Sequence, residues 1–192
     1  MDILRCINFF PLRIQSQNHQ NTGLRLVGCL KNLRLNNGLC PNKVDLVFAI
    51  GYKDMKARFA AFKAAQKLKY EFISIIHPNS IILEGSEIGY GSFVGPGTVL
   101  DVGCKIGVGN FIDAGCVISE SVKLGPGNYL SPKVVVCGHT SIGIGNFFGA
   151  ATTLRDGLVV GNYNFLNMQT MLVRNLNNDT LVSETRNIIF LE

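Results

Sequence analysis

Three histidines, His19, His77 and His139, are the side chains of this sequence whose ordinary pKa lies closest to neutrality. One of them has a carboxylate at a spacing that a repeating fold turns into contact. His139 lies eighteen residues after Ser121. If eighteen residues make one turn of a coil, His139 sits one coil along from Ser121, diagonal to Glu120 and within about 5–7 Å of it at Cα. A neutral imidazole is a suitable base for a hydroxyl or an amine, and a neighbouring carboxylate orients it and stabilises its protonated form. The same four residues, Cys137-Gly138-His139-Thr140, also fit a corner histidine of no catalytic use. His77, before Pro78, reads as structural, and His19 lies in a polar segment without further signal.

The eighteen-residue turn is written in the chain. From Ile76 to Asn177, seventeen hexapeptides in succession each open on a large apolar residue, and only Phe148 among these is not aliphatic. With 47% hydrophobic residues overall, chance would fill all seventeen with a probability on the order of 10⁻⁵, so the pattern is a repeat architecture. Ile-Gly-x-Gly returns every eighteen residues at Ile88, Ile106 and Ile142, with Leu124 standing in for isoleucine, and it fades at Val160. Three hexads therefore make one turn of a triangular prism of stacked parallel strands about 4.8 Å apart, a parallel β-helix of five to six coils. The fourth-position glycines suit corners that need positive φ, and Asn110, Asn128, Asn146 and Asn164 beside them are read as residues that tolerate the same region. Phe93, Phe111, Tyr129, Phe147 and Phe165 precede inward aliphatics and so point outward as an aromatic ladder, which on a lone prism would be an apolar liability and argues for a buried interface.

Ahead of the prism the pattern changes. Leu24 to Leu30 and Val44 to Ile50 read as short buried strands, Lys53 to Lys69 as an amphipathic helix and Glu71 to Ile76 as a strand leading into the first coil. This divides the chain into a small α/β unit at 1–75, the β-helix at 76–177 and a tail at 178–192. The helix carries Lys53, Lys56, Arg58, Lys63, Lys67 and Lys69, read as a solvated face over a sheet because no aromatic and basic stripe accompanies it; nucleic acid is not an expected partner. The net charge of +5 is modest. No apolar run reaches membrane-spanning length and residues 1–5 lack a signal-peptide pattern, so a cytoplasmic protein is expected. The six cysteines show no Cys-x-x-Cys spacing, and Cys104 and Cys116 fall at inward positions, as reduced core residues.

Val47-Phe48-Ala49-Ile50-Gly51, a basic helix, Ile75-Ile76-His77-Pro78-Asn79-Ser80 and then an Ile-Gly-x-Gly prism together resemble the sugar acyltransferases typified by sialic acid O-acetyltransferase and the bacterial UDP-amino-sugar N-acetyltransferases, within the hexapeptide-repeat transferases. The resemblance covers roughly residues 22 to 177. It implies a left-handed winding, a truncated Rossmann-like unit that binds a nucleotide sugar, acetyl-CoA as acyl donor, no metal, and a homotrimer with the coenzyme in clefts between prisms. The aromatic ladder is then expected at the trimer contact. By the same resemblance Gly51 is a sugar-site position, Gly138 offers the backbone N–H that receives an oxyanion, Tyr129 stands where a coenzyme-side histidine is usual, and Ala150 and Met168 fall in the column that lines the pantetheine arm.

Two departures shape the functional expectation. Residues 1–21 contain no glycine, so the glycine-rich turn that cradles a nucleotide sugar is degenerate or replaced by Phe10-Pro11-Leu12-Arg13. Glu120, in Ile118-Ser119-Glu120-Ser121, occupies the place of the usual catalytic histidine, which leaves His139, oriented by Glu120, as the candidate base. Two readings stay open: a CoA-dependent acyltransferase acting on a hydroxyl or amine of a sugar in surface-glycan biosynthesis, and a degenerate prism serving as a structural or binding protein. The prism-shaped carbonic anhydrases are excluded, since they need three zinc histidines across a subunit boundary and only two histidines lie in the repeats, far apart.

Overall fold

The computed structural model describes residues 45–183. The expected strand at 24–30, residues 1–21 and most of the 178–192 tail lie outside them. The described chain is mainly β, a parallel β-solenoid of about six turns. Two-residue strands recur every six residues from Ile75–Ile76 to Met171–Leu172, with a last one at Leu181–Val182. They stack into three parallel sheets of seven, six and five strands, which form the faces of the prism. Face I runs through Phe93, Phe111, Tyr129, Phe147 and Phe165, face II through Ile81, Val99, Val117, Val135, Thr153 and Met171, and face III through Glu87, Lys105, Lys123, Ser141 and Val159. Register is an unbroken eighteen until the end, where Leu166 pairs with Val182 and Val160 bridges to Leu176 after only sixteen residues. The seventeenth hexad is thus shortened, and its fifth residue, Leu176, packs against the core.

The inward residues are those that open the hexads. Val94, Leu100, Ile112, Ile118, Leu130, Val136, Phe148, Leu154 and Leu166 are wholly buried, and Cys104 and Cys116 lie among them as free thiols. Fifteen successive corners, every sixth residue from Gly85 to Gln169, hold φ between 55° and 73°. Glycine fills most of them, but Ser121, Lys133, His139, Ala151, Tyr163 and Gln169 adopt the same left-handed geometry. The other glycine of Ile-Gly-x-Gly serves a different end: a Cβ on Gly107 would lie 2.8 Å from the Gly125 carbonyl carbon one coil away, so the coils approach there at backbone distance.

The asparagine ladder has another cause than the one expected. Asn110, Asn128, Asn146 and Asn164 are buried and none is at positive φ. Fifth-position amides lie past the strand ladder, and the side chain one coil back supplies their acceptor. Asn110 Oδ1 accepts from Asn128 N at 2.8 Å, Asn128 Oδ1 from Asn146 N at 2.7 Å, and Asn146 Oδ1 from Asn164 N at 2.8 Å. Ser92 and Thr98 do the same for Asn110 and Cys116. The small polar fifth position therefore satisfies buried amides that would otherwise be orphaned.

Before the prism, strand β1 (Asp45–Leu46) pairs in parallel with β2 (Glu71–Phe72), and helix α1 (Met55–Lys67) connects them. Asp54 caps the helix, its carboxylate accepting from Ala57 N at 2.8 Å. Of the expected strand at 44–50, only Asp45 and Leu46 pair with another strand among the described residues. Phe48, Phe59, Phe62, Ala65 and Phe72 form a second core that also takes in Val108 and Ile144 of the prism. Glycines at the edge between faces III and I make this docking possible: a Cβ on Gly127 would meet the Phe59 ring at 2.5 Å. No helix among the described residues is long and apolar enough to cross a membrane.

Candidate functional site

The edge between faces II and III holds Glu120, Ser121, Gly138 and His139 on successive coils. His139 N donates to Glu120 O at 3.0 Å, which fixes the two corners relative to each other. The side chains meet as the eighteen-residue turn predicts: His139 Nε2 lies 3.8 Å from Glu120 Oε1. That separation suits an ion pair once the imidazole is protonated and exceeds a hydrogen bond. Both are open to solvent, His139 69% and Glu120 52% exposed. Gly138 is buried, and any Cβ on it would overlap the Glu120 carboxylate. Only glycine at 138 leaves room for Glu120 to lie there. The Gly138 N–H has no hydrogen-bond partner among the described residues, so an amide donor, a carboxylate and an imidazole share one edge.

The other sequence-derived positions fall elsewhere on the prism. Ala150 and Met168 follow the strands of face I, at its edge with face II; Ala150 is half-buried and Met168 exposed. Tyr129 is on face I. Burial, reinforced by the charge of Asp113, pushes its phenol up to about 12. One chain thus brings Glu120, Gly138 and His139 together and leaves Tyr129, Ala150 and Met168 apart from them. Gly51 is exposed before α1, with open space where a side chain would be.

The aromatic ladder departs from expectation. Its rings stack at centroid distances of 4.6, 4.6, 5.8 and 4.4 Å, but the chain covers part of it itself. Tyr52 stacks on Phe147 at 4.5 Å and tilts against Tyr129 at 5.1 Å, and Phe147 is only 6% exposed. Within the chain, Tyr52 covers Phe147 and part of Tyr129, while Phe111, Tyr129 and Phe165 stay half-buried.

Arg58 is a second correction. Grouped by sequence with the solvated basic face, it is 1% exposed, while Lys53, Lys56, Lys63, Lys67 and Lys69 are exposed as expected. Its Nε donates to Ile50 O at 3.0 Å, and its Nη1 donates to Gly109 O at 3.1 Å and Gly127 O at 2.9 Å. Its guanidinium stacks 4.4 Å from the Phe48 centroid, and Nη2 has no partner. Desolvation lowers its pKa to about 10, the nearby Tyr129 working weakly the other way. The signal was present in the sequence, since Met55, Arg58, Phe59 and Phe62 follow the i, i+3, i+4, i+7 stripe of a buried helix face.

No protein-family model matches the chain, and neither does any curated protein. Solved structures do. The acetyltransferase domain of PglB from Neisseria gonorrhoeae FA1090, in complex with acetyl coenzyme A, is 21% identical with a TM-score of 0.71, over 85% of this chain and 77% of that one. The chain shares the fold of these proteins. PerB from Caulobacter crescentus, in complex with CoA and GDP-perosamine, is 21% identical with a TM-score of 0.69, over 76% and 72% of the two chains. WeeI from Acinetobacter baumannii AYE is 18% identical with a TM-score of 0.64, over 68% and 64%.

Proposed function

We propose that the chain is an acyltransferase that moves an acetyl group from acetyl-CoA to a hydroxyl or amine of a sugar, with Glu120, Gly138 and His139 as its chemical centre. The observation that carries the reading is their juxtaposition on one prism edge, at 3.8 Å between imidazole and carboxylate. It is supported by the fold shared with acetyltransferases bound to acetyl coenzyme A or CoA and by the sequence resemblance to sugar acyltransferases. The wider reading takes in a left-handed winding, a small nucleotide-sugar unit at 1–75 with Gly51 at its sugar site, Tyr129, Ala150 and Met168 along the coenzyme, a homotrimer, and a cytoplasmic role in surface-glycan synthesis.

In this reading the proton path runs through His139. With Nε2 facing Glu120, Nδ1 of His139 is the nitrogen that takes the proton from the acceptor hydroxyl or amine as its oxygen or nitrogen attacks the thioester carbonyl. The oxyanion that forms as the carbonyl is attacked is received by the Gly138 N–H. Collapse of the tetrahedral adduct breaks the carbon–sulfur bond, and the imidazolium returns its proton to the departing thiolate. The openness of this edge favours the second reading, a prism retained as a binding protein, because water at an exposed site weakens each of these interactions.

Calorimetry with acetyl-CoA, followed by thiol release with a panel of amino and hydroxy sugars, tests the choice. Binding with sugar-dependent release is expected. Absence of acetyl-CoA binding at millimolar concentration leaves the binding-protein reading.

A further inference from the structure

Face III carries its charges beside a strip of bare backbone. Glu87, Lys105, Lys123 and Ser141 stand on successive rungs in parallel register, and Gly107 and Gly125 follow two of these strands without a side chain. Together they line a shallow depression of about 380 Å³, at the lower end of the about 300–1,000 Å³ of small-molecule sites. Glu87 pairs with Lys105. Neither the Lys123 ammonium nor the Ser141 hydroxyl has a partner among the described residues. Lys105 and Lys123 are directly opposite each other, a juxtaposition of like charges that an anion between them relieves.

We infer that this depression holds a phosphate ester carried by the acceptor sugar, with Lys123 as the residue that selects it. Two ammoniums and a hydroxyl on three successive rungs, about 4.8 Å apart, can donate to the three free oxygens of a phosphate monoester. A carboxylate offers two oxygens and a single charge. The monoester carries about −1.5 to −2 at neutral pH, enough to neutralise Lys123 and to share Lys105 with Glu87. Bare backbone at Gly107 and Gly125 lets a sugar ring approach the sheet, where a side chain would hold it off.

The inference rests on the proposed transfer reaction and names its acceptor class. Ser141 lies two residues after His139 and pairs with Lys123 one coil back, so His139 and Lys123 are diagonal neighbours about 7–8 Å apart at Cα. A sugar whose phosphate lies on Lys123 therefore has its ring at the edge that carries Glu120, Gly138 and His139, with a hydroxyl or amine within reach of the imidazole. Residues 1–21 hold no glycine for a phosphate-cradling turn. The depression lies instead on the prism itself, beside the candidate base.

Calorimetry on the full chain with glucosamine 6-phosphate, glucuronic acid and glucosamine, without acetyl-CoA, tests this. The phosphate sugar is expected to bind about ten- to hundredfold more tightly than either of the others. Lys123→Gln should remove that advantage while binding of glucosamine stays as it was, and Lys123→Arg should keep most of it. Lys123 is exposed, so its variants should fold with an unchanged far-UV spectrum; Ser141→Ala, which should also lower the advantage, keeps the test decisive if they do not. Lys67→Gln, at an exposed position on α1, should change nothing. Equal or undetectable binding of the three sugars overturns the inference. So does glucuronic acid binding as tightly as the phosphate sugar, an unchanged advantage in Lys123→Gln, or an equal loss in Lys67→Gln. Thiol release from acetyl-CoA on the same samples separates the two readings. Release with neutral sugars that is indifferent to Lys123→Gln overturns the phosphate site and leaves the transfer reading standing. Lys123-dependent binding of the phosphate sugar without thiol release upholds the site and removes the transfer reading.

Discussion

His139 occupies a corner that glycine would fill at less cost. Its φ is 56°, and the equivalent corners one coil before and after are Ser121 and Gly157. A left-handed conformation at a non-glycine residue costs on the order of 1 kcal/mol, so the imidazole is held against the preference of its own backbone. This gives a prediction that separates chemistry from packing. His139→Gly should stabilise the chain by about 0.5–1 kcal/mol in urea unfolding, while kcat falls by about 10²–10⁴, the usual worth of a general base. Acetyl-CoA affinity should be nearly unchanged. Glu120→Gln should cost less in kcat, because the imidazole remains. A His139→Gly variant that keeps full kcat would remove the base assignment. Tyr129 gives a second residue-scale test. Its folded-state pKa of about 12 lies above the ordinary value of 10.0. Between these values the unfolded phenol ionises and the folded one does not, so stability falls as pH rises above about 10. Tyr129→Phe should lessen that alkaline loss and delete a phenol titrating near 12 from the absorbance titration.

At the scale of elements, α1 is fastened to the prism by a charge without a carboxylate. Lowering Arg58 from 12.5 to about 10 corresponds to a cost of about 3 kcal/mol, offset by bonds to Ile50, Gly109 and Gly127 and by the Phe48 ring. Arg58→Met removes the desolvation cost and leaves three carbonyls without their donor. A net loss of about 2–4 kcal/mol is expected by urea unfolding. Arg58→Lys should recover only part of it, since one ammonium does not reproduce the planar fork. A variant as stable as wild type would mean that the aromatic cluster alone holds the helix. These elements also show what the sequence discloses. The prism was legible from its first positions, because one inward apolar side chain per side is a steric requirement of a closed triangle. So was the Glu120–His139 approach, because register in a parallel ladder is arithmetic. Arg58 and the asparagines were misread for one reason: their burial depends on which carbonyl or amide faces them across the fold, and residue type alone does not report it. The shortened last coil, sixteen residues where eighteen recur, escaped a strictly periodic reading.

In the whole molecule, the three faces divide the work. Face I receives the chain's own Tyr52, face III carries the Glu87–Lys105 ion pair, and the candidate site lies at the edge between faces II and III. Phe147 probes this division because its place in the aromatic ladder points to a contact between prisms. Since Tyr52 lies on its ring at 4.5 Å and it is already buried within one chain, a charge there strikes the seam between the 45–74 segment and the prism. Phe147→Glu leaves a carboxylate among the rings of Tyr129, Phe165 and Tyr52. It should cost about 2–4 kcal/mol. The damage should appear as faster proteolysis between residues 51 and 74, while the prism, whose coils bond to one another independently of Tyr52, keeps its β signal. Sedimentation should remain that of wild type. Dispersal by Phe147→Glu with the 45–74 segment still protected would instead place the contact between copies on face I.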